Sequence, residues 1–548
     1  MADLSLAAQR RRDALARLGA EHWDLLVIGG GISGAGVLRE AARRGWKAAL
    51  IEQRDFAWGT SSRSSKMVHG GLRYLKEGQP GLTLHSVRER ERLMCEAPEL
   101  VEPLGFIFPD CTGRKPGRWL FQLGLMVYGQ MAGRRSRASG HAYVTADVAR
   151  TLVPGLAPPH MKGAMTYQDA ATDDARLVLR VLAEAQSDGA LALNYVGADQ
   201  LSLLQGRVNG VVARDTHGGE TFTIRARAVV NATGAWADQL RAGVGGRPML
   251  RPLRGSHLVV PHWRLPVAQA VSLMHPRDGR PVYFYPWEGV TLVGTTDLDH
   301  SGDLNTEARI TPQEVNYLLA AVNDQMPGVR LARADVIACF AGVRPVVGAS
   351  GTGDSSASSA SRDHVAVQES GLVTLTGGKL TTFRLMAQDA LALAAGAVGK
   401  PFARDGAPVF QPASTLGDHL GAHGDRPLSP VVRRRLQARY GARAAEVAGT
   451  ATAADWQWVA GSNTLWLELR VAARQEQVLH LDDLLLRRTR LGLLLPQGGA
   501  ACFDSIKAIC QQELAWSDAQ WQAELLRYQA LIARFYSLPE PEEDTRHA

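Results

Sequence analysis

Three glycines and one acid carry the first chemistry of this chain. Gly29, Gly31 and Gly34 stand in a G-x-G-x-x-G spacing, Ser33 lies inside it, and Glu52 follows eighteen residues after Gly34. Glycines so spaced let backbone approach a pyrophosphate with no Cβ atoms in the way, and an acid at that distance can accept both hydroxyls of a ribose. An acid favours a free 2′-hydroxyl over a 2′-phosphate, which leaves NAD and FAD both open. A second donor set follows in Thr60-Ser61-Ser62-Arg63-Ser64-Ser65-Lys66, whose hydroxyls and two cations suit a phosphate-rich ligand. His69-Gly70-Gly71-Leu72-Arg73-Tyr74 then adds a glycine pair that permits close backbone contact.

These groups act together only if regular elements position them. Residues 24–28 (Asp24-Leu25-Leu26-Val27-Ile28) read as a buried strand entering the glycine turn, and Ala35, Leu38, Ala41 and Ala42 form one face of the helix that follows. Gly45 ends that helix, 46–51 make the next parallel strand, and the helix N-terminus faces the anion. The pattern returns with a helix starting at Asp173-Asp174 and strands over 190–196, 208–213, 222–226 and 228–233. The last ends in Ala232-Thr233-Gly234, a small-residue turn open to a cofactor. From 247 to 345, aromatic and β-branched runs such as 282–287 and 290–296 point to a second sheet. A strand at 373–377 leads through Gly377-Gly378-Lys379-Leu380-Thr381-Thr382 into another helix, a second place where a helix N-terminus could face an anion. Beyond a proline-marked linker, Ser429 and Pro430 suit N-cap and N1 of a helix, and Ser517-x-x-Gln520 reads as a capping box. Trp521, Leu525, Tyr528, Leu531 and Phe535 recur at helical spacing, as core rather than cofactor contacts.

The motifs at 29–34, 61–66 and 69–74 are followed in order by Gly255-Ser256-His257, Gly294-Thr295-Thr296-Asp297, Gly342-Val343-Arg344-Pro345, Arg362-Asp363 and 377–382. In that order the chain resembles the FAD-dependent (aerobic, respiratory) glycerol-3-phosphate dehydrogenases. The likeness runs from about residue 21 to the C-terminal region, where Arg487-Arg488-Thr489-Arg490 is similar to that family's closing domain. The resemblance implies an α/β fold with three parts: an FAD-binding Rossmann-like domain of the amino-acid-oxidase-like flavoprotein type (21–95, 160–245 and 350–398), a mixed-sheet substrate cap (96–159 and 246–349) and a C-terminal all-helical domain (399–538). A basic extension, 1–20, and an acidic tail, 539–548, flank them.

It further implies non-covalent FAD, held by Gly29, Gly31, Ser33, Gly34, Glu52, Thr60, Ser61, Ser62, Ser64, Ser65, His69, Gly70, Gly71, Thr233, Gly234, Gly378, Lys379, Leu380 and Thr381. The implied reaction is oxidation of sn-glycerol 3-phosphate to dihydroxyacetone phosphate, with electrons passed to a membrane quinone. A phosphate dianion needs several fixed cations, best planar arginines. The family pattern nominates Arg73, Arg344, Arg362 and Lys379, with Tyr74 and Thr296 as hydroxyl partners. Loss of the C2 hydroxyl proton suits a general base with a pKa near the working pH, and His257 fits that task. Arg344, with a pKa above ~12, is a poor proton acceptor and is assigned to the developing alkoxide or the phosphate, beside Lys379.

Composition bounds the alternatives. With 548 residues, 45% of them hydrophobic and 21% charged, the chain needs two or three domains. Cys95, Cys111, Cys339, Cys502 and Cys510 are scattered, which argues against a structural metal and for a reducing compartment. The net charge of +7 is dispersed and no nucleic-acid motif accompanies it, so nucleic acid is not the expected partner. No run reaches the ~18–20 apolar residues of a membrane span. From Trp119 to Gly133, however, fifteen residues carry no charge, between Arg114, Lys115 and Arg118 on one side and Arg134, Arg135 and Arg137 on the other. That pattern fits a segment lying on an anionic bilayer surface and, equally, a buried helix with solvated ends. The expected location is the cytoplasmic face of the inner membrane, peripherally bound and partly cytoplasmic. The oligomeric state stays open, a homodimer included. Two rivals share the fold: a glycerol-3-phosphate oxidase using O2, and an amine or amino-acid oxidase, whose substrate carboxylate would need one arginine clamp.

Overall fold

Leu25, Leu26 and Val27 have no exposed surface, as a strand covered on both faces of a parallel sheet requires. His22–Ile28 pairs in parallel with Ala48–Ile51 on one side and Thr221–Asn231 on the other. The structure is a computed structural model, and it describes residues 5–76, 78–115, 117–132, 140–348, 363–416 and 428–541, the side chains of Arg73 and Lys76 excepted. Arg362, Arg134, Arg135, Arg137, the segment 350–361 and the tail beyond 541 lie outside the described residues, as does the Arg73 side chain.

The first sheet runs in the order His364–Glu369, Leu372–Gly377, Thr221–Asn231, His22–Ile28, Ala48–Ile51, Leu191–Leu193, and Val196–Leu204 with Arg207–Asp215 extends it as an antiparallel meander. Helices Ile32–Ala42, Asp174–Ser187 and Phe383–Val398 pack on one face, with Leu25 and Val27. Leu26 and Ile28 face the meander and the N-terminal helix Leu6–Ala20. That helix is no loose basic arm: Leu18 is fully buried, and Arg11 donates to Asp215 Oδ1 (2.7 Å) and to the Asn194 carbonyl (2.8 Å). The strands read separately at 222–226 and 228–233 are one, Thr221–Asn231. Its first half alternates exposed and buried residues against the meander and its second half is buried among parallel neighbours, so the pattern changes while the strand does not.

A second, ten-stranded sheet is built mainly from Val101–Cys111, Met161–Thr172, Leu250–Pro261, Ala270–Met274, Pro281–Trp287, Val290–Gly294 and Ala338–Val347. Met161–Thr172 pairs along its length with Val101–Cys111 and so belongs to this sheet, which moves the boundary expected at 160 to about residue 173. The C-terminal helices include Pro430–Tyr440, Trp466–Gln475, Phe503–Leu514 and Asp518–Leu531. Ser429 Oγ accepts from Val432 N and Ser517 Oγ from Gln520 N, while Trp521 and Tyr528 are buried. Where this region meets the first sheet, Arg488 grips Asp55 with two bonds of 2.7 Å and Arg490 Nε donates to Asp173 Oδ1 at 2.9 Å.

Candidate active site

A cavity of about 2240 Å3 opens between the two sheets, at the C-terminal ends of the parallel strands. Ordinary small-ligand pockets hold ~300–1,000 Å3, so there is room for a dinucleotide and a small substrate together. Its inner end is made by backbone pressed against backbone. Gly29 lies at φ +114°, where a Cβ would come within 2.5 Å of the Ala232 oxygen, and a Cβ at Gly34 would overlap the Gly29 carbonyl oxygen. The helix Ile32–Ala42 therefore starts at the cavity, and its Ile32 N–H donates to Ser61 Oγ at 2.9 Å. Glu52 accepts from Gly30 N (2.7 Å) and Arg54 N (2.9 Å), each oxygen keeping a lone pair for a ribose hydroxyl, and burial raises its pKa. Trp236, also on the wall, has a buried indole N–H with no hydrogen-bond partner, a donor waiting for a ligand acceptor.

Of the residues expected to hold the cofactor, Gly29, Gly31, Ser33, Glu52, Thr60, Ser61, Ser64, Ser65, His69, Gly71, Thr233, Gly234, Gly378, Lys379, Leu380 and Thr381 line this cavity. Gly34, Ser62 and Gly70 do not. Gly34 is packed on Gly29, the Ser62 carbonyl accepts from Lys66 Nζ at 2.9 Å, and Gly70 N donates to Tyr128 Oη (2.9 Å) and Asp169 Oδ1 (3.1 Å). Lys66, read as a phosphate donor, is turned inward too. It has no exposed surface and donates to Asp174 Oδ1 at 3.0 Å, and burial lowers its pKa to about 8.

On the cavity wall, Lys379 Nζ sits 3.6 Å from the centroid of the Tyr74 ring and donates to Ser86 Oγ at 3.0 Å. Arg344 is held as a fork: Nη1 donates to Asp297 Oδ1 (3.0 Å) and Nη2 to Thr295 Oγ1 (2.9 Å), with its side chain one-fifth exposed to the cavity. Arg280 joins the wall and donates to the Asp297 carbonyl at 2.7 Å. Thr296 does not reach the wall. Its hydroxyl donates to Glu314 Oε1 (2.7 Å) and accepts from Ser256 N (2.9 Å), so Thr295, one residue earlier, faces the cavity instead. His257 is also buried behind the wall. It stacks on Phe340, its Nδ1 has no hydrogen-bond partner, and its Nε2 meets Ser65 Oγ at 2.9 Å. Burial, then the charges of Arg344 and Lys66, push its pKa well below the ordinary 6.5, so the imidazole is neutral.

An apolar arm leaves the same cavity between Leu72, Phe106, Phe108, Tyr167 and Tyr283 and the helix Arg118–Ala132. Leu125 and Tyr128 of that helix are buried, whereas Trp119 is 75% exposed, Leu120 68% and Leu123 56%. Leu120, Phe121, Leu123, Gly124 and Val127 of this helix line the cavity, whereas Trp119 and Met126 are exposed without lining it. Among the described residues no helix is long and apolar enough to cross a membrane.

Several wall residues had no sequence signal. The meander residues Ala198–Leu201 come to the cavity only through long-range strand pairing, whereas Gln53 and Trp236 are carried there by the neighbouring Glu52 and the Thr233-Gly234 turn. Thr295 follows the strand Val290–Gly294 rather than lying in it, so alternation along that strand does not place it.

Residues 24–387 match the family described as FAD dependent oxidoreductase, and 373–521 match the C-terminal domain of alpha-glycerophosphate oxidase. The glycerol-3-phosphate dehydrogenase 2 of Mycobacterium tuberculosis is 35% identical over 98% of this chain and 93% of its own length. The aerobic glycerol-3-phosphate dehydrogenase of Staphylococcus aureus is 32% identical over 95% of this chain and 96% of its own. Among solved structures, the glycerol-3-phosphate dehydrogenase from Bacillus halodurans, complexed with FAD, has a TM-score of 0.72 at 27% identity, covering 98% of this chain and 99% of that one.

Proposed function

The chain belongs to the FAD-dependent oxidoreductases, in their glycerol-3-phosphate dehydrogenase family, and we propose that it oxidises sn-glycerol 3-phosphate to dihydroxyacetone phosphate and delivers the electrons to a membrane quinone. The observation that carries this reading is the meeting of Lys379, Tyr74 and Arg344 on the wall of a cavity long enough for a dinucleotide. Bound FAD, held non-covalently, supplies the acceptor for the hydrogen and electron pair that leave C2.

The chain's own groups do the rest. Lys379 and Tyr74 grip the substrate phosphate, with Arg73 and Arg362 added by the family pattern. Arg344, oriented by Asp297 and Thr295, stabilises negative charge as it grows on the C2 oxygen. The C2 hydroxyl proton goes to Ser65 Oγ while Ser65 passes its own to His257 Nε2, so the buried histidine acts through the serine. Burial, then the charges of Arg344 and Lys66, keep His257 neutral, with its ring lone pair free of a proton, and make it a weaker base than an exposed histidine.

The apolar arm, and the exposed Trp119 and Met126 beside it, support a lipophilic acceptor and peripheral binding to an anionic membrane, at the cytoplasmic face of the inner membrane. A second reading has support in residues 373–521, which match a domain named for an oxidase: transfer to O2. Anaerobic mixing of the purified protein with sn-glycerol 3-phosphate should bleach the flavin band at about 450 nm, and an unbleached flavin would overturn the substrate assignment. Reoxidation by a quinone analogue faster than by air, with little peroxide, is expected; rapid peroxide formation would favour the oxidase.

A further inference from the structure

The wall residues Arg63–Ser65, with Ser62 behind them, are held from the far side by groups that come from the far end of the chain. Arg490 is 1% exposed and Asp174 is fully buried, and the two are ion-paired. Asp174 Oδ2 accepts from Ser64 N at 3.0 Å and Ser64 Oγ at 2.7 Å, while its Oδ1 accepts from Lys66 Nζ at 3.0 Å. Arg490 also donates directly to the Ser62 carbonyl at 3.3 Å. Next along, Arg63 donates through Nη2 to the Tyr536 hydroxyl at 3.0 Å. Ser62, Arg63 and Ser64 are thus each tied to Arg490 or Tyr536, and both of these lie in the C-terminal helical region. Lys66 and Arg490 both sit in the left-handed backbone region, at φ 52° and 65°, which bulky residues adopt only where their surroundings over-determine them.

We propose that the C-terminal helical domain completes the FAD site: Arg490, directly and through Asp174, fixes the Ser62–Ser65 segment against the cofactor, with Tyr536 as a second tie through Arg63. Arg490 and Tyr536 do not line the cavity, so they are positioning residues rather than cofactor contacts. The inference rests on this segment being a wall of the FAD site, and a wild-type protein that purifies yellow establishes that premise separately. A loop that must present hydroxyls at fixed distances gains affinity by being ordered before the ligand arrives, and a buried arginine, with five donors that reach Asp173, Asp174 and the Ser62 carbonyl together, is well built to order it. The chemistry also explains why these partners are charged. Ser64 offers two donors to one carboxylate oxygen, and the opposite charges of Lys66 and Arg490 offset the cost of burying that carboxylate.

The test compares full-length holoenzyme variants by FAD content after gel filtration, by the dissociation constant for FAD on reconstitution, and by melting temperature. Arg490→Gln should weaken FAD binding about tenfold or more, and Arg490→Lys should recover part of it. Tyr536→Phe should weaken it several-fold with little change in melting. Arg470→Gln is the control: it breaks a pair with Asp455 and Glu513 inside the same domain, away from the segment. It should lower the melting temperature and leave FAD affinity at the wild-type value. Wild-type FAD affinity in Arg490→Gln would overturn the proposal, and so would an equal loss in Arg470→Gln. Should Arg490→Gln not fold, Arg490→Lys and Tyr536→Phe both binding FAD as tightly as wild type would overturn it just as well.

Discussion

His257 has no exposed surface and shares its Nε2 only with Ser65, so its protonation state is set by the interior rather than by solvent. Its pKa lies well below that of a histidine in the unfolded chain, lowered by burial and by Arg344 and Lys66. Acid therefore protonates the unfolded chain first, and the stability this site contributes is present above about pH 6.5 and lost as the pH falls below it. For the reaction, flavin reduction by substrate should be flat from pH 8 to below pH 6.5. His257→Gln should still bind FAD while reducing it ~10²–10⁴-fold more slowly. An acid limb near pH 6.5 in the wild type that disappears in His257→Gln would refute the neutral histidine. Arg344 gives a second expectation. Arg344→Lys keeps the charge but loses the fork that Asp297 and Thr295 hold, so kcat should fall ~10²–10³-fold; a loss under threefold would show that charge alone suffices. At this scale the sequence placed residues on the right elements more often than on the right face. His257 sits on the strand Leu250–Pro261 yet its side chain turns inward, because alternation along a strand gives two faces and only the register selects between them, while Thr296 lies in the link after Val290–Gly294, where no alternation applies.

Strands and helices whose signals are local were legible. The fingerprint strand, its turn and the helix Ile32–Ala42 lie as read, since the pattern, the glycines and the helix start all occur within about twenty residues of one another. The meander at Val196–Leu204, which supplies part of the wall, was not read as a site element because only its pairing with Arg207–Asp215 and Thr221–Asn231 brings it there. The helix Arg118–Ala132 shows both limits at once. Its uncharged run was legible, but two readings remained, a surface face and a buried helix, and the structure gives it one of each. The outward residues can therefore be tested apart from the inward ones. Trp119→Glu and Met126→Glu should leave melting unchanged, within ~0.5 kcal/mol for exposed positions, yet lower retention on anionic vesicles in sedimentation assays. Leu125→Glu, on the buried side, should instead destabilise the protein by several kcal/mol, about the cost of burying an unpaired charge. Full vesicle retention by the Trp119 and Met126 variants would show that this face does not dock.

Across the whole molecule, the two ends of the chain are joined by ions removed from water. Asp55 is fully buried and lies three residues beyond Glu52, and both Arg487 and Arg488 pair with it. Burial alone would raise the Asp55 pKa, but Arg488 and Arg487 outweigh it and hold the carboxyl below the usual range. The stability it contributes is therefore full above about pH 4 and lost only as acid falls through that lowered pKa. None of this was visible in the sequence, where Asp55 is one acid in a loop and the arginines stand more than four hundred residues away. Similarity marked Arg487–Arg490 as a unit without naming its partners. Removing one partner from such a site leaves the others buried and uncompensated, which costs ~3–5 kcal/mol, whereas an exposed pair such as Arg214 with Asp199 is worth ~0–1 kcal/mol. Asp55→Ala should accordingly lower the melting temperature by many degrees while Arg214→Ala barely moves it. The first sheet and the C-terminal helices also share this interface, so calorimetry of the wild type should give one unfolding transition, and Asp55→Ala should split it as the helices release first. Two transitions already present in the wild type would mean that the domains fold independently and that the buried ions fix their orientation without coupling their stabilities.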